Sequence, residues 1–211
     1  MSTRINKSKY NLNNLKAFLI EKWLVVLILS LFFSGMFLGS FYINHADSEI
    51  TNKIIEYCKT LISTRASQTS IGIFKNGLVK YFIFIVFTYL LGLCSFGVPL
   101  IFFTPLAFGI SNGILCGYIY ETYSFNGLMY CVSTIYPSLM IVVILLVLGS
   151  CESFQMSIDT LKMQTDKSIV ATGNLLKKYT YRYLILLGIL IVACIFESLL
   201  CNLFIVRFAL N

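Results

Sequence analysis

Glu197 is the residue that most invites a chemical role, because it stands about halfway along an apolar run at about 184–208. An ionised carboxyl group at bilayer depth is costly, so it must face other helices, pair, or stay protonated. Two roles are open to it: a structural hydrogen-bonding group, partly or wholly protonated, or one member of a proton or cation path. The neutral partners at comparable depth are Thr104, Ser111, Asn112, Thr134, Tyr136 and Ser138, and no lysine or arginine is clearly placed there. Asn112 is the favoured partner, since it adjoins Gly109, Gly113 and Gly117. Glycines four apart form one flat stripe on a helix, where a second helix in lipid comes closest. Gly35 and Gly39 in the first apolar run are assigned to helix packing as well.

Other chemistries lack their residues. Asp47, Asp159 and Asp166 all lie in polar loops, so paired intramembrane aspartates are missing. The sole histidine, His45, leaves neither a His-Glu-x-x-His zinc site nor a buried base for a serine nucleophile. The seven cysteines show no Cys-x-x-Cys or Cys/His ligand spacing, and they read as small free hydrophobes. Catalytic, metal and cofactor sites are therefore not expected. The net charge of +7 is dispersed over separate loops, which argues against nucleic acid.

These residues must be positioned by membrane helices. With 58% hydrophobic and 12% charged residues, the chain has too little polar surface to clothe a water-soluble globule. Behind a basic amino-terminal segment, 1–22, a single all-α membrane domain, 23–211, is predicted as a bundle of about five transmembrane helices. The spans are placed at about 23–43, 81–96, 99–120, 128–148 and 184–208. The second is the shortest, and recruiting Gly77 to Lys80 would lengthen it. A tight joint, Phe96-Gly97-Val98-Pro99, makes the second and third spans an antiparallel hairpin. Pro99 opens the third span, Pro105 lies in its first two turns, and Pro137 interrupts the fourth, where a kink could serve packing or a hinge.

The larger loops are predicted to hold amphipathic helices: Ile50, Ile54, Cys58, Leu61 and Ile62 recur at helical spacing in one, and Phe154, Ile158 and Leu161 in the other. The first such helix can pack on its own bundle, on the membrane surface or on a partner. Arg4, Lys7, Lys9, Lys16 and Lys22, with Lys162, Lys167, Lys177, Lys178 and Arg182, are ten of the sixteen basic residues. Their placement favours a cytoplasmic amino terminus and an outside carboxyl terminus. Lys177, Lys178 and Arg182 are also suited to anionic lipid headgroups.

Several short motifs together resemble the stage II sporulation protein M family. They are Phe74-Lys75-Asn76 before the second span, Gly97-Val98-Pro99 at the hairpin, Asn112-Gly113-x-x-x-Gly117 in the third span, Pro137 in the fourth and Phe196-Glu197 in the fifth. The similarity runs from about Leu24 to Phe208. The broader family often carries a His-Gly pair and a glutamate around the fourth span, where this chain has Tyr136-Pro137. The resemblance implies a multi-pass protein of the bacterial cell membrane, at the mother-cell septum. It implies a non-enzymatic anchor and scaffold for secreted-side wall hydrolases, a lytic transglycosylase and an amidase/endopeptidase, that remodel septal peptidoglycan during engulfment. Membrane lipids and a possible second copy are the other partners. The competing class is a small permease, or a membrane subunit of a transporter, using Glu197 and Asn112 at the midplane.

Overall fold

The computed structural model describes residues 2–45, 54–58, 60, 70–165 and 172–205, and side chains within 22–43, 54–58, 60, 71–162 and 174–201. Among these residues there is no strand. The helices are α1 (Ser2–His45), α2 (Ser70–Leu93), α3 (Gly97–Tyr130), a π-helical turn (Cys131–Ile135), α4 (Tyr136–Thr165) and α5 (Thr172–Ile205). Four continuous stretches are long and apolar enough to cross a membrane: Lys22–Ile43, Ile71–Leu93, Gly97–Lys162 and Asn174–Cys201.

The third stretch holds two crossings. Its 66 residues would extend about 100 Å as one straight helix, against a hydrocarbon core of about 30 Å. Instead Ser124 leaves helical geometry at φ 50°, ψ −130°, and the chain folds back on itself. A Cβ on Gly127 would stand 2.5 Å from the Ile119 carbonyl oxygen, so glycine is required where the returning chain meets the outgoing one. Past the reversal, Phe102 of α3 meets Phe154 of α4 with ring centroids 5.7 Å apart. The five-span bundle read from the apolar runs is thus the observed architecture.

Two boundaries differ from the sequence reading. The second span begins at Ile71 rather than Tyr81. Sixteen residues rise only about 24 Å as a helix, so the segment takes up the turns before it, bringing Lys75 and Lys80 into α2. The amphipathic face at Phe154, Ile158 and Leu161 is no separate loop helix. It continues α4, because no further proline falls between Pro137 and Thr165.

Residues 94–96 join α2 to α3, with Gly97 N–H donating to Cys94 O at 3.0 Å. A side chain on Gly97 would overlap the Leu91 carbonyl, and Pro99 falls in the first helical turn, where its missing N–H is no loss. Pro137 follows the π-helical turn. It cannot donate to the carbonyl four residues back, and the turn before it is widened, with Tyr136 N–H bonding to Cys131 O.

The core follows the helix order. α1 packs mainly on α3, while α2 lies against α4, α5 and α3. Phe108, fully buried, is the aromatic centre: Phe84, Phe32 and Tyr81 rings lie 5.0, 5.9 and 6.1 Å from it. At the end where α3 reverses, Ile43, Leu115, Tyr118, Ile119, Tyr130 and Ile135 form a second cluster. The helical piece at 54–58 docks there through Cys58, Ile54 and Ile55, leaving Glu56 and Tyr57 exposed. Ile50, Leu61 and Ile62 of that predicted face lie outside the described residues. Outward-facing large apolar groups such as Trp23, Phe37, Phe103 and Val192 make the lipid-facing surface.

Candidate functional site

All five packing glycines meet in one contact, between α1 and α3. A Cβ on Gly35 would lie 2.5 Å from Leu106 O and 3.3 Å from Gly109 Cα. One on Gly109 would lie 3.1 Å from Met36 N and 3.2 Å from Gly35 Cα. Gly39 faces Ile110 O, Gly113 faces Met36 O, and Gly117 lies against Ile43 and the Cα of Ser40. The arrangement is reciprocal: carbonyls of each helix point at the bare Cα atoms of the other, the setting for Cα–H···O contacts. In lipid this close approach supplies association that apolar side chains alone do not. The sequence showed both stripes but not that they face each other.

Asn112 lies at the edge of this contact and is 1% exposed. Its Nδ2 donates to Phe108 O at 2.7 Å, and its Oδ1 accepts from Lys80 Nζ at 3.0 Å. The stripe beside Asn112 is covered by α1, whereas Glu197 stands on α5, which packs on α2, α4 and the π-helical turn. The Asn112 side chain is thus engaged by Lys80 of α2 and not by a group across the stripe. Glu197, 2% exposed, has Oε2 3.5 Å from where a Gly77 Cβ would stand. Gly77 and Lys80 are three apart on α2, one helical turn. Asn112 and Glu197 thus approach the same turn of α2 from different helices.

Lys80 falls just outside the second span as read from the sequence, 81–96, and the structure brings it into α2. The available signal was the shortness of the second span, which had to recruit residues on its amino-terminal side. Half-buried, Lys80 also stacks over its neighbour Tyr81, Nζ lying 5.8 Å from the ring centroid.

A hydroxyl network at the opposite end of the bundle was also unforeseen. Ser153 Oγ donates to Thr88 O at 2.8 Å and lies 2.9 Å from Tyr179 Oη and 2.6 Å from Tyr183 Oη. Tyr183 in turn donates to Gly149 O at 2.8 Å and Tyr179 to Tyr89 O at 2.9 Å. Ser157 ties the helix to the α2–α3 joint through Cys94 O at 2.7 Å. Three helices are thereby joined where Gly92 has no room for a side chain, with Ser153 Cα 2.9 Å from a Cβ built there. Its sequence signal is a further small-residue stripe, Gly149, Ser153 and Ser157. Beside it Arg182 forms an ion pair with Glu152, Nη1 donating to both carboxylate oxygens, at a shallow hollow of about 160 Å³ lined also by Gln155, Asp159 and Lys178.

Among the motif positions, Asn76 is exposed on α2, while Gly97, Pro99 and Pro137 shape the hairpin joint and the widened turn. No group of three metal-ligating side chains is assembled among the described residues. What the polar groups do is tie helices together: α2 to α3 through Lys80, and α2, α4 and α5 through Ser153.

Residues 28–201 match the family model described as Stage II sporulation protein M. No curated protein and no solved structure matches the chain. The match takes in all five crossing segments, the glycine contact and Glu197, and so the chain belongs to the stage II sporulation protein M family, a family of sporulation membrane proteins.

Proposed function

We propose that the protein is a non-enzymatic membrane anchor and scaffold of a septal peptidoglycan-remodelling complex in engulfment, holding secreted-side wall hydrolases at the mother-cell septal membrane. The observation that carries this reading is the glycine interlock of α1 with α3, in a chain whose family match spans the whole bundle. A scaffold needs a rigid membrane body with a surface to present. Backbone-to-backbone contact and the Ser153 hydroxyl network supply rigidity; the reversal around Ser124, the docked segment at 54–58 and the exposed start of α2 supply the surface. In this reading the reversal end faces the secreted side and the amino terminus lies in the cytoplasm. The bias of Lys and Arg supports that orientation.

A permease would use Lys80, Asn112 and Glu197 as its polar site, and the presence of three such groups around one turn of α2 is what favours it. One experiment separates the two. The tagged full chain is extracted in mild detergent from sporulating cells, and the same preparation is tested for proton-coupled uptake in liposomes. Co-recovery of a wall hydrolase without uptake is the expected result. Uptake in a preparation free of hydrolase would overturn the scaffold reading. Orientation is checked with single cysteines introduced at exposed Glu121 and Lys162, on a background lacking the native thiols. Glu121→Cys is expected to react with an impermeant maleimide from outside and Lys162→Cys only after lysis; the reverse pattern would invert the proposed surface.

A further inference from the structure

Four of the seven cysteines converge at the reversal end of the bundle, from four different segments. Cys58 comes from the docked helical piece, Cys116 from α3, Cys131 from the π-helical turn and Cys201 from α5. Cys58 and Cys131 are buried in the same apolar cluster, with Cys116 and Tyr136 packed against it. Cys201 Sγ lies 3.7 Å from Tyr130 Oη of that cluster. Within the group one pair stands out. Cys116 packs against the cluster in which Cys131 is buried, beside Tyr136, so that two thiols on antiparallel segments are neighbours. The π-helical turn contributes to this placement. Its extra residue rotates the start of the fourth span, and π-turns recur at functional positions in helices.

We propose that Cys116 and Cys131 are an oxidisable dithiol, a modification site closed by thiol–disulfide exchange with a disulfide-type oxidant. Cys116 reacts first, because it is half-buried while Cys131 is enclosed. Its thiolate attacks one sulfur of the oxidant R–S–S–R, the S–S bond of the oxidant breaks, and one R–S⁻ leaves with the electron pair and takes up the Cys116 proton. The Cys131 thiolate then attacks Sγ of Cys116, forming the internal disulfide and releasing a second R–S⁻, which takes up the Cys131 proton. Two protein thiols are oxidised and one oxidant disulfide is reduced to two thiols. The new bond closes a covalent loop around Ser124, so that α3 and α4 can no longer part at this end. This inference is independent of the scaffold reading and of the orientation in the membrane.

The test uses the full chain in its native membranes, with 4,4′-dithiodipyridine as the membrane-permeant oxidant and peptide mapping by mass spectrometry under non-reducing conditions. In the unaltered protein a cross-linked peptide pair containing Cys116 and Cys131 is expected, abolished by dithiothreitol, and this result requires no variant. In Cys131→Ser the exchange is expected to stop at a thiopyridyl adduct on Cys116, and Cys194→Ser, at a cysteine outside the group, is expected to retain the cross-link. Stable adducts on both Cys116 and Cys131, free thiols at both after oxidation, or a cross-link joining either to Cys58 instead would overturn the proposal.

Discussion

Replacing Gly113 by alanine isolates the α1–α3 contact. The added Cβ would stand 2.9 Å from both Cα and carbonyl C of Met36, and closer still to its carbonyl oxygen. All three atoms are backbone, so no side chain can swing away, and the helices must separate by several tenths of an ångström or more. Overpacking of this kind costs about 1–3 kcal/mol, while the better helix propensity of alanine returns up to about 1 kcal/mol. Separation also weakens the contacts at Gly109 and Gly117, which share the same helix pair. A net loss of about 1–2 kcal/mol is therefore expected, and a larger one for Gly113→Leu. The assay is reversible unfolding of the full chain in mixed micelles, with Gly188→Ala as reference, since nothing lies within 4 Å of a Cβ at Gly188. Gly188→Ala should be neutral or stabilising. Equal behaviour of the two alanine variants would refute the claim that Gly113 is fixed by backbone approach.

Other expectations follow from individual contacts. Lys80→Met and Asn112→Leu should each destabilise, and their double-mutant cycle should show coupling of about 1 kcal/mol, the scale of interhelical hydrogen bonds in membranes; strict additivity would remove the Lys80–Asn112 bond as a stabilising contact. Tyr183→Phe deletes a donor to Gly149 O and a partner of Ser153, and should cost about 1–2 kcal/mol in the same unfolding assay. Tyr181→Phe, at an exposed position, should cost nothing measurable. Burial pushes the Cys58 thiol above its ordinary value of 9.0, with the Lys80 charge acting the other way. The contribution of this neutral thiol to stability is complete below that ordinary value and declines as pH rises from there towards the raised folded value. At pH 8 its alkylation should be at least about tenfold slower than that of Tyr57→Cys, whose side chain is exposed. Comparable rates would show that the segment at 54–58 is not docked on the bundle.

The part of the fold legible in the sequence was the part governed by local composition. Apolar runs long enough to cross hydrocarbon located all five spans. The joint at Gly97-Val98-Pro99 revealed the α2–α3 hairpin, because so few residues allow only reversal. Charge hid the start of α2: Lys75 and Lys80 count against a span in any hydropathy window, although inside a bundle a lysine can be held by an asparagine amide and a ring face. The burial of Cys58 and Cys151 was equally hidden. Both lie outside the five apolar spans, yet they are 3% and 6% exposed, which is why introduced cysteines are required.

By itself the sequence determined a membrane bundle, its span count, the two glycine stripes and the short motifs of its family. These depend on residue type and spacing along one helix, and helical periodicity makes them readable. Only the tertiary structure decided that the stripes face each other, that Asn112 bonds to Lys80 while Glu197 meets the same turn of α2, and that Ser153 gathers two tyrosine hydroxyls. It alone brought Cys116 against Cys131. Each of these rests on the rotation and order of helices around the bundle, which packing among all five spans sets and no single span encodes.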